Sequence, residues 1–303
     1  MIISNVFRRP LSSPGFCLLR EAVLGQATIY GRIPAKRNTM RQHASEKDMP
    51  NDETKEFLAS LPELEEGKTY KFKCYPGISC FNACCSDLNL ILTPYDILRL
   101  RRALSQGSVE FLRLHTTMHK CEDTGFPEFH LRMNDNKARS CPFVTPEGCS
   151  LYENRPGACR MYPLGRATRP DGKGGVSEQF FIVQEGHCHG FEEDAEWTGM
   201  SWKEDQGFEA YTSSNDRYMN ILARIKQRGA PVPEKMGHMA TLAFYKLDEF
   251  QRFITHMRVF SRFDVDEARQ KAILEDEEAA LEFAMDWIEL MLFESTPNLK
   301  AKG

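Results

Sequence analysis

Nine of the ten cysteines lie between positions 74 and 188, and four of them, Cys74, Cys80, Cys84 and Cys85, fall within twelve residues. A free cysteine packs as a small isolated hydrophobe and gains nothing from crowding. This density needs something that holds thiols together: disulfides, zinc or an iron-sulfur cluster. Cys141, Cys149, Cys159 and Cys188 complete a set of eight. Eight thiolates satisfy two tetrahedral zinc ions, two four-cysteine clusters or one of each, and they equally suit one centre with spare reactive thiols. Cys17 stands alone and is left out, and Cys121 lies in a polar loop and stays unassigned.

The N-terminus shows no basic segment followed by a long apolar run and a small-residue cleavage site, so an oxidising compartment is not expected and disulfides recede. In a reducing cytoplasm, dense cysteines mean metal or redox chemistry. A net charge of -4 lacks the basic excess of a general nucleic-acid binder. No run approaches the roughly 20 apolar residues of a membrane helix. The expectation is a cytoplasmic protein that binds neither nucleic acid nor membrane.

Spacing bears on the choice of metal. A zinc site ordinarily shows two short Cys-x2-4-Cys knuckles, whereas only Cys80-x3-Cys84 fits here and Cys141, Cys149 and Cys159 are spaced x7 and x9. Ligands arriving from separated loops suit the larger body of a cluster, so an iron-sulfur cluster is favoured and zinc is the alternative. On a helix Cys80 and Cys84 share a face, while Cys84 and Cys85 point about 100° apart. The adjacent pair therefore serves different partners. Arg155 and Arg160 flank Cys159 and are candidates to donate hydrogen bonds to the thiolates or sulfides of a bound cofactor. The competing reading is a surface ion pair with Glu147 or Glu153.

These side chains need elements to position them. Thr93 as N-cap, Pro94 at the first helical position and Asp96 at N3 start a helix with Ile97, Leu100, Arg101 and Leu104 on one stripe. Ser108 caps a second helix through about Met118, with Phe111, Leu114 and Met118 inward. That helix would set His115 and His119 one turn apart, a spacing zinc sites use, but without a metalloprotease Glu they read as partly exposed histidines. Residues 127–133 alternate as a half-buried strand. Prolines and turn formers make 141–163 an irregular loop with one helical turn from Pro156, a segment that needs an external tether to be ordered. Residues 166–169 and 177–184 pair as a hairpin through Pro170 to Gly175, whose glycines lack the Lys-Ser/Thr pair and following helix of a phosphate loop. The second strand runs into His187, Cys188 and His189, where an extended backbone turns both histidines away from Cys188.

Beyond residue 194 the pattern is helical. Trp197 and Trp202 bracket a short helix, a longer one spans about 208–228, and a third carries Leu242, Phe250, Phe253, Ile254, Met257 and Phe260. Asp264 and Glu267 box the last helix, whose stripe includes Leu281, Ala284, Met285, Ile288 and Met291. The chain thus reads as α+β. Residues 1–56 are a poorly folded leader, Arg-rich or preceding a true start at Met40 or Met49. Residues 57–195 form a small irregular cysteine-cluster domain with short helices and a β-hairpin. Residues 196–303 form an α-helical subdomain packed over it.

The run from Cys74 to Cys85, then Leu92-Thr-Pro-Tyr-Asp-Ile-Leu-Arg-Leu100, Cys141-Pro-Phe, Gly148-Cys149-Ser-Leu-Tyr152-Glu-Asn-Arg155-Pro156 and Cys159-Arg160-Met-Tyr-Pro163, resembles the YkgJ-type bacterial cysteine-cluster family, described as a zinc- or iron-chelating domain. The resemblance covers about residues 72–191 and implies metal chelation. The family signature is written Cys-x2-Cys-x2-Cys-Cys; here the first two spacings are x5 and x3. A similar cluster in flagellin lysine N-methylases makes protein modification an alternative role, although no glycine-rich loop follows a strand and no Cys-x3-Cys-x2-Cys triplet is present. The leading expectation is a metal-binding protein that carries electrons or senses oxidants. A zinc-stabilised adaptor, meeting a protein partner through its helical tail, is the third.

Overall fold

The computed structural model describes residues 2–4, 7–8, 62–170, 176–294 and 296–302, with backbone alone at 2–4, 7–8, 169–170 and 176. The leader expected over 1–56 and the turn at 171–175 therefore lie almost wholly outside the described residues.

Short strands come first: β1 (Ile2–Ser4), β2 (Phe7–Arg8), β3 (Glu63–Leu64), β4 (Thr69–Lys71), β5 (Leu88–Asn89) and β6 (Ile91–Leu92). Helix α1 (Pro94–Ala103) begins as its sequence predicts. Thr93 Oγ1 accepts from the Asp96 amide at 3.2 Å, and Asp96 Oδ2 accepts from the Thr93 amide at 2.9 Å. Helix α2 (Ser108–His115) ends sooner than its apolar pattern suggests, and β7 (Thr116–Lys120) follows at once. β-Branched Thr116 and Thr117 favour the strand, and pairing with β8 (Pro127–Leu131) supplies its hydrogen bonds. Of the three residues expected inward, only Phe111 is buried; Leu114 and Met118 are exposed. Strand β8 is buried on both faces rather than one, because it is central in the antiparallel sheet β6-β8-β7.

The second cysteine group lies on the two-residue strands β9 (Val144–Thr145) and β10 (Gly148–Cys149) and on a short helix, α3 (Gly157–Met161). The expected hairpin is present as β11 (Leu164–Pro170) and β12 (Val176–Ile182), which β1 and β3 extend to four strands. After it the chain is not extended. It turns through a 3-10 segment, His189–Glu192, and β13 (Glu196–Thr198) pairs back onto β4. Trp197 thus sits on a strand, and Trp202 on α4 (Gly199–Asp205).

The remaining helices are α5 (Glu209–Gln227), α6 (Glu234–Ala240), α7 (Leu247–His256), α8 (Glu267–Glu275) and α9 (Glu277–Phe293). A π-turn, Thr241–Tyr245, joins α6 to α7. The single last helix boxed by Asp264 is in fact two. Asp266 caps α8 through the Arg269 amide at 2.8 Å, and Asp276 caps α9 through the Ala279 amide at 3.0 Å, since an aspartate oxygen takes the otherwise unpaired N3 amide. Leu281, Ala284, Met285 and Ile288 are buried as expected, whereas Met257 and Met291 are exposed.

The architecture is α+β, and one continuous buried cluster runs through both parts, from Leu64, Leu90 and Ile97 to Tyr218, Phe250 and Ile288. Helix α1 packs on α5 and α9, so the cysteine loops hang from a frame that the C-terminal helices help to build.

Candidate metal centre

Three stretches that carry little regular structure bring eight thiols together, and none of the eight is in a disulfide. The first runs from Cys74, past β4, to a 3-10 turn, Ala83–Cys85, entered through a left-handed Asn82. It is sewn to the second cysteine group by the Cys141 amide donating to the Cys85 carbonyl at 2.8 Å, and by Asn82 Nδ2 donating to the Thr145 carbonyl at 2.8 Å. The third stretch, around Cys188, is held by the Lys73 amide, which donates to the Gly190 carbonyl at 3.0 Å. A Cβ on Gly190 would stand 2.6 Å from Phe72 Cε2, so only glycine lets these backbones approach.

Cys159 is placed by a buried acid. Asp96, besides boxing α1, accepts from the Gly157 amide at 2.8 Å and so caps α3 as well. One carboxylate thereby fixes two helix starts, one of which carries a sulfur. The Tyr211 hydroxyl donates to the Arg155 carbonyl at 3.0 Å and holds the approach to α3 from the helical side.

The electrostatic neighbours of each thiol divide the set. Burial, then Cys84, Cys80 and Cys188, push the Cys74 thiol up to about 11. Burial raises Cys188 too, beside Cys80 and Cys84. On the other side, burial pushes Cys141 up to about 11, with Cys149 and Cys84 adding to it. Burial and then Cys141, Cys84 and Cys149 raise Cys159 well above its ordinary value. The Cys85 thiol is raised by its hydrogen bond to Cys84, by burial, and by Cys159 and Cys141. Cys74, Cys80 and Cys188 therefore form one neighbourhood and Cys85, Cys141, Cys149 and Cys159 another, with Cys84 reaching both.

Backbone amides are aimed at these sulfurs. The His189 amide donates to Cys80 Sγ at 3.2 Å. Cys141 accepts from the amides of Phe143 and Val144, Cys149 from Leu151, and Cys188 from Gly190. The bonds to Cys141, Cys149 and Cys188 favour the thiolate and oppose the rise caused by burial. The Tyr162 hydroxyl also faces Cys188 and favours its thiolate, a partnership with no local signal in the sequence. The donor set fits a thiophilic metal: soft sulfur ligands, desolvated and mutually repelling, in turns whose amides stabilise negative sulfur. As placed, no three His, Cys, Asp or Glu groups among the described residues stand in finished coordination geometry.

Arg155 and Arg160 are both buried. Arg155 donates to the Tyr152 carbonyl at 2.6 Å and to Gln206 Oε1 at 2.5 Å; Arg160 donates to the Glu153 carbonyl at 2.7 Å and to the Gln206 carbonyl. They bind backbone carbonyls and the Gln206 side chain rather than sulfur or the carboxylates of Glu147 and Glu153. Arg155 still favours the Cys149 thiolate by its charge. Cys121 is buried and disulfide-bonded. His115 sits between Phe111 and Phe143, His119 is on β7, and His189 pairs with Glu192 at 2.9 Å, so none of the three joins the thiols.

Residues 73–189 match the model of the CxxCxxCC family, described as a zinc- or iron-chelating domain. This segment is similar to the YkgJ-type domain. No curated protein and no solved structure matches the chain. The matched segment ends where the cysteines end, while α5–α9 lie beyond it. No helix among the described residues is long and apolar enough to cross a membrane.

Proposed function

We propose that the protein holds metal at two four-thiol sites that meet at the adjacent Cys84 and Cys85, one built from Cys74, Cys80, Cys84 and Cys188, the other from Cys85, Cys141, Cys149 and Cys159. The observation that carries this reading is the aiming of backbone amides at Cys80, Cys141, Cys149 and Cys188 within two groups of neighbouring sulfurs. Neutral thiols do not need such donors, whereas metal-bound thiolates do. The metal is iron, as an iron-sulfur cluster, or zinc. The wide x7 and x9 spacing of the second group supports iron, and with iron the centre would carry electrons or sense oxidants in the cytoplasm.

Anaerobic purification followed by iron, zinc and acid-labile sulfide analysis tests it. Coloured protein with iron and sulfide supports the cluster. Colourless protein with stoichiometric zinc turns the reading to a zinc-stabilised adaptor presenting its helical tail. Compact, monodisperse protein carrying neither metal ends it.

A further inference from the structure

One face of the sheet β6-β8-β7 gathers two histidines and a carboxylate away from the thiols. In the antiparallel pairing His119 stands opposite Glu128, and Thr117 opposite His130. Side chains two apart on a strand share a face, so His119, Glu128 and His130 project together. The rings of His119 and His130 are 4.8 Å apart between centroids, and His130 Nε2 lies 3.9 Å from Glu128 Oε2.

Asn89 sets the tautomer of His130. Its Oδ1 lies 2.7 Å from His130 Nδ1; an amide oxygen only accepts, so the proton is on Nδ1 and the lone pair is on Nε2. That nitrogen is buried, on a residue only 9% exposed, and has no hydrogen-bond partner. A separation of 3.9 Å from the carboxylate oxygen is too long for a hydrogen bond. It is within the span of two donors on one ion bound at about 2.0–2.2 Å each.

We propose that His119, Glu128 and His130 form a second, sulfur-free site for a borderline divalent cation of the zinc type, with Asn89 as its positioning residue. Two imidazoles, one carboxylate and an open fourth position are the donor count of zinc sites that keep a place for water or a ligand. An imidazole ligand whose other nitrogen is held by a neighbouring oxygen is the usual supporting arrangement. The three side chains do not close around a point as they stand; His119, the exposed member, swings in to complete the shell.

Cobalt(II) titrated into the full chain, carrying whatever its thiols hold, reads the site directly. Cobalt bound by thiolate gives an intense near-ultraviolet sulfur-to-metal band, and cobalt bound by imidazole and carboxylate gives visible bands alone. The expected result is one equivalent without the sulfur band, weakened about 10- to 100-fold in Asn89→Ala and lost in His119→Ala, whose exposed position leaves folding intact. No uptake free of sulfur absorption, or His119→Ala binding cobalt as the wild type does, overturns the proposal and leaves Glu128 and His130 as buried neighbours without a ligand.

Discussion

Between residues 141 and 163 the longest regular element is the five-residue helix Gly157–Met161, while beyond residue 208 Glu209–Gln227 runs for 19 residues and Glu277–Phe293 for 17. The two regions are ordered by different forces. The long helices satisfy their own backbone and bury apolar faces around Phe250, Phe283 and Ile288, with Arg217 spanning Asp286 and Glu289. The cysteine loops bury little of their own. They are held by single backbone bonds between stretches, by Asp96, and by whatever binds the sulfurs. Losing the binding partner should therefore disorder one region and spare the other.

The sharpest way to break this contrast is to remove a thiol at the heart of the cluster. Cys84→Ala or Cys159→Ala should lose bound metal and solubility together, since structural metal contributes on the order of 10 kcal/mol to folding. Metal analysis and sedimentation check it, and full metal retention in both variants would contradict the two-site arrangement. A cut on the helical side should behave differently. Phe250→Ala deletes a fully buried ring and should cost about 3–5 kcal/mol, read as a lower Tm, while metal content per folded molecule stays unchanged.

Asp96 joins the two regions, and its loss should show in both. Asp96→Ala leaves the amides of Thr93 and Gly157 without their carboxylate, at about 2–3 kcal/mol for two lost caps. Chemical denaturation should report the destabilisation, and metal competition should report weaker binding because α3 carries Cys159. The smallest effect belongs to Glu178. Burial opposes its ionisation, but the Lys203 hydrogen bond and the Arg166 charge outweigh burial and hold its carboxyl below the usual range. A carboxylate held low stabilises the fold above its unfolded value of about 4.3 and loses that contribution as pH falls through the folded value. Glu178→Gln should thus cost about 1 kcal/mol at neutral pH and flatten the acid limb of a stability profile followed by urea unfolding.

Cap residues were readable because their signal is local. Thr93, Pro94 and Asp96 predict the start of α1, and the hairpin through residue 170 was equally plain. The fate of residues 116–120 was not. Their apolar spacing continues α2, but β8, the next strand after a short connection, offers an edge for antiparallel pairing, and pairing outweighs a weak helical stripe. In the tail, Asp266 and Asp276 each accept an N3 amide, so one expected helix became two. At the site, cysteine types and counts marked the eight thiols, yet nothing local could show that Arg155 and Arg160 bind Gln206 and backbone carbonyls instead of sulfur.

Sequence by itself determined that this chain concentrates soft, metal-seeking ligands in segments too irregular to order themselves, because residue type and spacing are local properties. Only the tertiary structure decided how the thiols divide, with Cys84 between the two neighbourhoods, and that Asp96 and the amides of Phe143, Leu151, His189 and Gly190 prepare their surroundings. Those relations join distant residues, the His189 amide and Cys80 being 109 positions apart, and burial and charge act through space rather than along the chain.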